Sequence, residues 1–151
     1  MELIVRPVER SDIPGMAALR ALEWQTEEYW IERIGLYLSG EHSPKQGLPS
    51  RAAFVAKEDD QLVGFVAGHL TRRFGCDGEL EWVNVAPDRR GLGIADKLVA
   101  RMGEWFVEQG ARRICVDVAP ENHAARKLYA RCGAQVLNKH WMVWDDARVM
   151  G

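Results

Sequence analysis

This chain has little of what would commit it to secretion, to nucleic acid or to a membrane. Its 151 residues include three cysteines, Cys76, Cys115 and Cys132, widely spaced and without a CxxC pair. That argues against a disulfide framework or a zinc site, and they read as buried or half-buried thiols. Four histidines, His42, His69, His123 and His140, show no ligand spacing, so no metal is expected and each reads as structural or solvated. The formal net charge of −2 gives no reason to expect a nucleic-acid or anionic-membrane partner. No apolar run approaches membrane-spanning length, and Met1 to Pro7 reads as an opening strand without the apolar stretch of a signal peptide. A cytoplasmic location is the expectation. Repeats and low-complexity tracts are absent. The length suits one full core and falls short of two ordinary domains, so residues 1–151 are expected to form one domain.

What the chain does have is a glycine-rich turn. Trp82 to Val85 is apolar, Pro87-Asp88-Arg89-Arg90 turns, and Gly91-Leu92-Gly93-Ile94-Ala95 opens a helical pattern. The first amides of a helix lack intrahelical partners and sit at the positive end of its dipole, which favours an anion. Gly91 and Gly93 bring no Cβ to hold a diphosphate off the backbone, and Arg89 and Arg90 add charge-assisted donors. A Walker loop would need Lys then Ser or Thr where Ile94-Ala95 stand, and a dinucleotide fingerprint would need Gly or Ala where Asp96 stands. The pattern that fits is R-x-x-G-x-A, on Arg90, Gly93 and Ala95.

Here the sequence resembles the GCN5-related N-acetyltransferase (GNAT) superfamily, whose acetyl-CoA pyrophosphate site has this form. A second segment, Asn122 to Ala134, is similar to the family's other signature: an asparagine opening a helix, a small residue three later, a Leu-Tyr pair and a closing glycine. On a helix Asn122, Ala125 and Tyr129 share one face.

The remaining chain alternates element types. Leu3 to Arg6 reads as a strand. Ser11 is expected to cap a helix burying Ile13, Met16, Ala17, Leu19 and Leu22. Thr26 with Glu27 and Glu28 opens a second helix to about Gly40, its apolar content Trp30, Ile31, Ile34, Leu36 and Leu38. Glu41 to Arg51, with Pro44, Gly47 and Pro49, reads as a mobile loop. Ala52 to Ala56 and Leu62 to Leu70 form a hairpin pattern, and Leu80 to Val85 follows as its antiparallel neighbour. Ile94, Leu98, Met102 and Trp105 or Phe106 recur at helical spacing up to Gly110. Ile114 to Val118, the asparagine-led helix to Gly133, and two short strands, Ala134 to Leu137 and Trp141 to Trp144, complete the series. The order matches the acetyltransferase fold, an α/β architecture with a mixed, splayed sheet flanked by helices.

The resemblance implies roles. The backbone of Val83, Asn84 and Val85 would pair with the pantetheine arm of acetyl-CoA. The amides from Arg90 through Gly91, Leu92, Gly93 and Ile94 to Ala95 would hold the pyrophosphate, with Arg89 or Arg90 reaching its oxygens. Asn122, Ala125 and Arg126 would face the cofactor. Tyr129 would protonate the leaving thiolate; a packed ring with no chemical role is the alternative.

Direct transfer also needs a neutral amine. At pH 7 this costs a lysine-like amine roughly 4 to 5 kcal/mol and an α-amine about 1 kcal/mol. Glu79 and Glu81, two apart on a strand, share a face unless a bulge intervenes. The resemblance implies a glutamate base at Glu81 or at Glu79, with Glu81 favoured; solvated or substrate-orienting carboxylates with a water relay are as consistent with the sequence. Trp24, Glu27, Glu28, Tyr29 and Trp30 stand where this family forms its acceptor pocket, so a small protonated amine, or a peptide amine, is the expected substrate. Core packing, helix-dipole compensation or a homodimer contact would use the same residues. A sensor domain that binds acyl-CoA without catalysis is the alternative function, and a nucleotide-binding regulatory domain a third.

Overall fold

The computed structural model describes residues 2–151. Seven strands form one mixed sheet in the order β1-β2-β3-β4-β5-β7-β6: β1 Leu3–Pro7, β2 Gly47–Glu58, β3 Gln61–Thr71, β4 Gly78–Val85, β5 Ile114–Asp117, β6 Gln135–Asn138 and β7 Trp141–Trp144. Neighbours run antiparallel except β4 and β5, which are parallel. Helices α1 (Ile13–Ala21) and α2 (Glu27–Ser39) cover one face, while α3 (Ile94–Glu108) and α4 (His123–Arg131) lie on the other. No described helix is long and apolar enough to cross a membrane.

Alternation along β2 feeds both cores. Phe54 and Ala56 join Leu98, Met102 and Phe106 of α3, whereas Ala53 and Val55 pack with Met16 of α1 and Trp30, Ile34 and Tyr37 of α2. The buried stripe of α2 is thus Trp30, Ile34 and Tyr37, at i, i+4 and i+7, while Ile31 is exposed. Thr26 caps α2 as expected, its Oγ1 accepting from the Tyr29 N–H at 3.1 Å, and Gly40 closes it in the left-handed region. All three cysteines are buried and free.

Three expectations need correction. Ser11 does not cap α1; it lies inside a short 3₁₀ turn, Arg10–Asp12, that Glu9 and Asp12 cap reciprocally. Leu22 follows α1 and is exposed. The segment read as a loop to Arg51 is strand from Gly47 onward. Its pairing with β3 is interrupted between Gly47 and Arg51, which leaves Pro49 outside the regular ladder. Arg51 holds the stretch by donating to the carbonyls of Tyr37, Leu48 and Pro49.

Two irregularities of β4 position the site. Its pairing with β5 stops at Leu80↔Val116, so from Glu81 onward the strands part and the backbone of β4 loses its β5 partner. Opposite β3 the register slips by one residue, Ala67↔Trp82 then Gly68↔Leu80, leaving Glu81 as the extra residue of a bulge.

Candidate active site

The parting of β4 and β5 opens a cleft of about 540 Å³. Val83, Asn84 and Val85 line one wall, Arg89, Arg90, Gly91, Gly93, Ile94 and Ala95 the end, and Asn122, Ala125 and Tyr129 the other wall. The two sequence motifs therefore meet across one space. Gly91 (φ +80°) and Gly93 (φ +82°) occupy the left-handed region, and a Cβ on either would meet nothing within 4 Å, so the turn forms an open cradle. The first bond from α3 back to the turn is the Lys97 N–H to the Gly93 carbonyl, 3.2 Å, so the Ile94 and Ala95 amides precede the helical ladder. Asp96 would repel an anion here, but Arg131 clamps it at 2.6 and 3.0 Å and thereby ties α3 to α4.

The arginines differ in their commitments. Arg89 is held by Glu58 at 2.6 Å and Asp88 at 3.0 Å. Arg90 is largely exposed and only loosely paired, 3.8 Å from Glu23, which leaves it the freer donor for an anion in the cleft. Leu92 is 65% exposed and lines neither cleft. Arg126 does not face the cleft either. Its guanidinium donates to the carbonyls of Val118, Ala119 and Lys139, stitching the turn before α4 to the β6–β7 turn. Asn122 caps α4, its Oδ1 accepting from the Ala125 N–H at 3.2 Å.

A second cleft, about 550 Å³, adjoins the first on the α1 side and shares Glu23, Val83, Asn122, Ala125 and Tyr129 with it. Its further lining includes Glu79, Glu81 and Asp117, with Arg20, Arg73, Trp82 and Trp141. Tyr129 stands at the seam. Its ring packs edge-on against Trp144 at 5.6 Å, and burial pushes its phenol well above the ordinary range, so it stays protonated at neutral pH.

Glu79 and Glu81 do converge, as residues two apart on a strand share a face, and the bulge at Glu81 adds Trp82 to their side. Together with His69 they bring three polar atoms within 4.8 Å of one another. Arg73 Nε lies 3.3 Å from Glu79 and Arg33 Nη2 3.7 Å from Glu81, so the two carboxylates already have cationic neighbours. Burial raises the pKa of Glu81. Asp117 is likewise raised by burial.

The residues expected to form the acceptor wall line neither cleft. Trp24, Glu27, Glu28 and Tyr29 are exposed around the start of α2. Trp30 is core: its ring packs on Trp82 at 6.0 Å, its Nε1 donates to the Trp24 carbonyl at 2.6 Å, and Arg20 stacks over it at 4.4 Å. The amphipathic pattern of α2 marked an apolar face without marking what it faces. Arg20, Glu23, Arg73, Asp117 and Trp141 were not singled out from the sequence, since they come from four separate stretches of the chain and only the topology gathers them.

Comparison with known proteins agrees with this geometry. The acetyltransferase (GNAT) family profile matches residues 15–134. Aminoglycoside N(6')-acetyltransferase type 1 of Salmonella typhimurium is 31% identical over 88 residues, which take in 54% of this chain and 61% of that protein. The structure of AAC(6')-Iy in complex with the bisubstrate analogue CoA-S-monomethyl-acetylneamine superposes with TM-score 0.75 at 23% identity, covering 91% of this chain and 94% of that one. A variant of spermidine N-acetyltransferase SpeG from Vibrio cholerae gives TM-score 0.69 at 21% identity, covering 97% and 95%. With a family match over most of its length and both family motifs on one cleft, the chain belongs to the acetyltransferase (GNAT) family.

Proposed function

We propose that this protein is an acetyl-CoA-dependent N-acetyltransferase that transfers acetyl directly to a primary amine of a small polycationic molecule. The observation that carries this reading is the shared wall: the glycine cradle and the acidic cleft are separate spaces that meet at Tyr129. Acetyl-CoA supplies an acetyl group activated as a thioester. The chain's part is to hold its diphosphate on the Ile94 and Ala95 amides and Arg90, and its arm along Val83 to Val85. An amine in the second cleft must lose a proton, and Glu81, at the cleft wall, can take it. The departing sulfur must gain one, for which the Tyr129 hydroxyl is placed at the seam.

Charge supports the substrate class. Four carboxylates, Glu23, Glu79, Glu81 and Asp117, face two guanidiniums, Arg20 and Arg73, around the acceptor cleft. The relatives named for aminoglycosides and spermidine act on amines of this kind. A cytoplasmic location belongs to the same reading and is supported by the three free thiols. Equilibrium binding of acetyl-CoA against ATP and NAD, followed by a panel of polyamines, aminoglycosides and peptides assayed by thiol release, tests it. Turnover with a polyamine or aminoglycoside is expected. Acetyl-CoA binding without transfer to any amine would point instead to a sensor domain.

The pH dependence has a defined sign. Glu81 must be ionised to accept a proton, and burial raises its pKa, so activity should rise with pH through a midpoint above the ordinary carboxylate value. Glu81→Gln should remove that acidic limb.

A further inference from the structure

One buried titratable group faces this machinery without a role in it. His69, on β3, is fully buried between α2 and β4. Its Nδ1 lies 2.8 Å from the hydroxyl of Tyr37, itself fully buried. Its Nε2 lies 3.6 Å from Glu79 Oε1, and these two atoms have no hydrogen-bond partner. Glu81 Oε1 lies 4.0 Å from Nδ1.

The hydrogen-bond inventory fixes the proton. Among the described residues, the acceptor within reach of the Tyr37 hydroxyl is Nδ1. A buried phenol that cannot donate leaves an unsatisfied group, so Nδ1 must be bare and the ring proton must sit on Nε2. A doubly protonated ring would turn Nδ1–H toward the phenol oxygen and strand the phenol proton. With the proton on Nε2, the ring addresses Glu79 Oε1, and a small closure of the 3.6 Å gap satisfies both orphaned atoms together.

We propose that His69 is a positioning residue: held by Tyr37 as its Nε2–H tautomer, it pins Glu79 as a standing carboxylate of the acceptor cleft and leaves Glu81 to exchange protons. The role in catalysis rests on the acetyl-transfer reading above; the tautomer and the pairing do not. The surroundings divide the two carboxylates the same way. Glu79 receives His69 and, from the turn after β3, Arg73 at 3.3 Å. Glu81 is faced by His69, Glu79, Arg33 and Tyr37 of α2, Arg20 of α1 and Arg73, with no contact to a cation closer than the 3.7 Å of Arg33. Environments that separate a carboxylate pair assign it different duties.

The test uses the whole ligand-free protein. In ¹⁵N-histidine spectra, His69 should appear as the Nε2–H tautomer with Nδ1 accepting. In ¹³C-glutamate titrations assigned with Glu79→Gln and Glu81→Gln, His69→Asn keeps a polar atom near the Nδ1 position only. Its lost hydrogen bond should raise the midpoint of the carboxylate pair by about one unit. His69→Gln, which returns an N–H near the Nε2 position, should restore it. In acetyl transfer to spermidine or neamine, His69→Asn should raise the amine KM about tenfold below the shifted midpoint, where Glu79 loses its charge, with the KM for acetyl-CoA unchanged and His69→Gln restoring the wild-type value. An Nδ1–H tautomer in the wild-type protein overturns the proposal even if both variants fail to fold, as does a folded His69→Asn that titrates like wild type. The expected tautomer and shift in a protein that acetylates no amine would support the His69 arrangement and sink the acetyl-transfer reading instead.

Discussion

Replacing Gly93 by valine separates the cost to the fold from the cost to the cofactor site. Gly93 lies at φ +82°, and a Cβ there meets no atom of the chain within 4 Å, so the fold bears only the penalty of an L residue in the left-handed region. That is about 1 to 2 kcal/mol, somewhat more for a β-branched side chain. For a chain of this length it lowers Tm by about 2 to 8 °C. The space the side chain fills is the approach to the Ile94 and Ala95 amides, which lie ahead of the Lys97-to-Gly93 bond that opens the ladder. A diphosphate kept from both loses two charge-assisted hydrogen bonds of about 1.5 to 3 kcal/mol each, or roughly 10²- to 10⁴-fold in Kd. Gly93→Ala, smaller and unbranched, should fall between. Calorimetric titration with acetyl-CoA alongside a melting curve gives both numbers. A folded Gly93→Val that binds acetyl-CoA with wild-type affinity would refute the cradle.

Other consequences follow from single contacts. Tyr129→Phe should keep acetyl-CoA affinity and lower kcat about 10²- to 10⁴-fold; a wild-type rate with chemistry limiting would remove Tyr129 from the mechanism. Asp117→Asn should raise the acceptor KM for a polyamine, whereas Glu27→Gln with Glu28→Gln should leave it unchanged because those side chains line neither cleft. The opposite pattern would return the acceptor wall to α2. Asp12 accepts from Arg6 at 2.8 and 3.0 Å and from the Glu9 N–H at 2.7 Å, and the guanidinium holds its pKa below the usual carboxylate value. Its stabilisation is present above about pH 4 and is lost as pH falls through the lowered folded value. Asp12→Asn should therefore melt lower at pH 7 and show a shallower loss of stability in acid, by denaturant titration at several pH values.

The proposed cofactor half of the site is legible because it is written in contiguous residues. Gly91, Gly93 and Ala95 need backbone freedom and small size at fixed offsets, and Asn122, Ala125 and Tyr129 need one helical face, so spacing alone carries the information. The acceptor half is not contiguous. Arg20 with Glu23, Arg73, Asp117 and Trp141 come from four places in the chain, and nothing local to any of them distinguishes a cleft wall from solvent. The bulge in β4 shows the limit most sharply. Strict alternation from Glu79 would send Trp82 and Asn84 to the opposite face from the two glutamates. The extra residue at Glu81 resets the parity. Glu79, Glu81, Trp82 and Asn84 then all face α1 and α2, where Asn84 accepts from Arg20 at 3.1 Å and Trp82 packs on Trp30 and Tyr37. The same reset turns Val83 and Val85 toward the α3 side. One inserted residue with no compositional mark thus sets Trp82 and Asn84 beside the two carboxylates and, with the end of β5 pairing at Leu80, leaves the backbone of Val83 to Val85 along the proposed cofactor cleft.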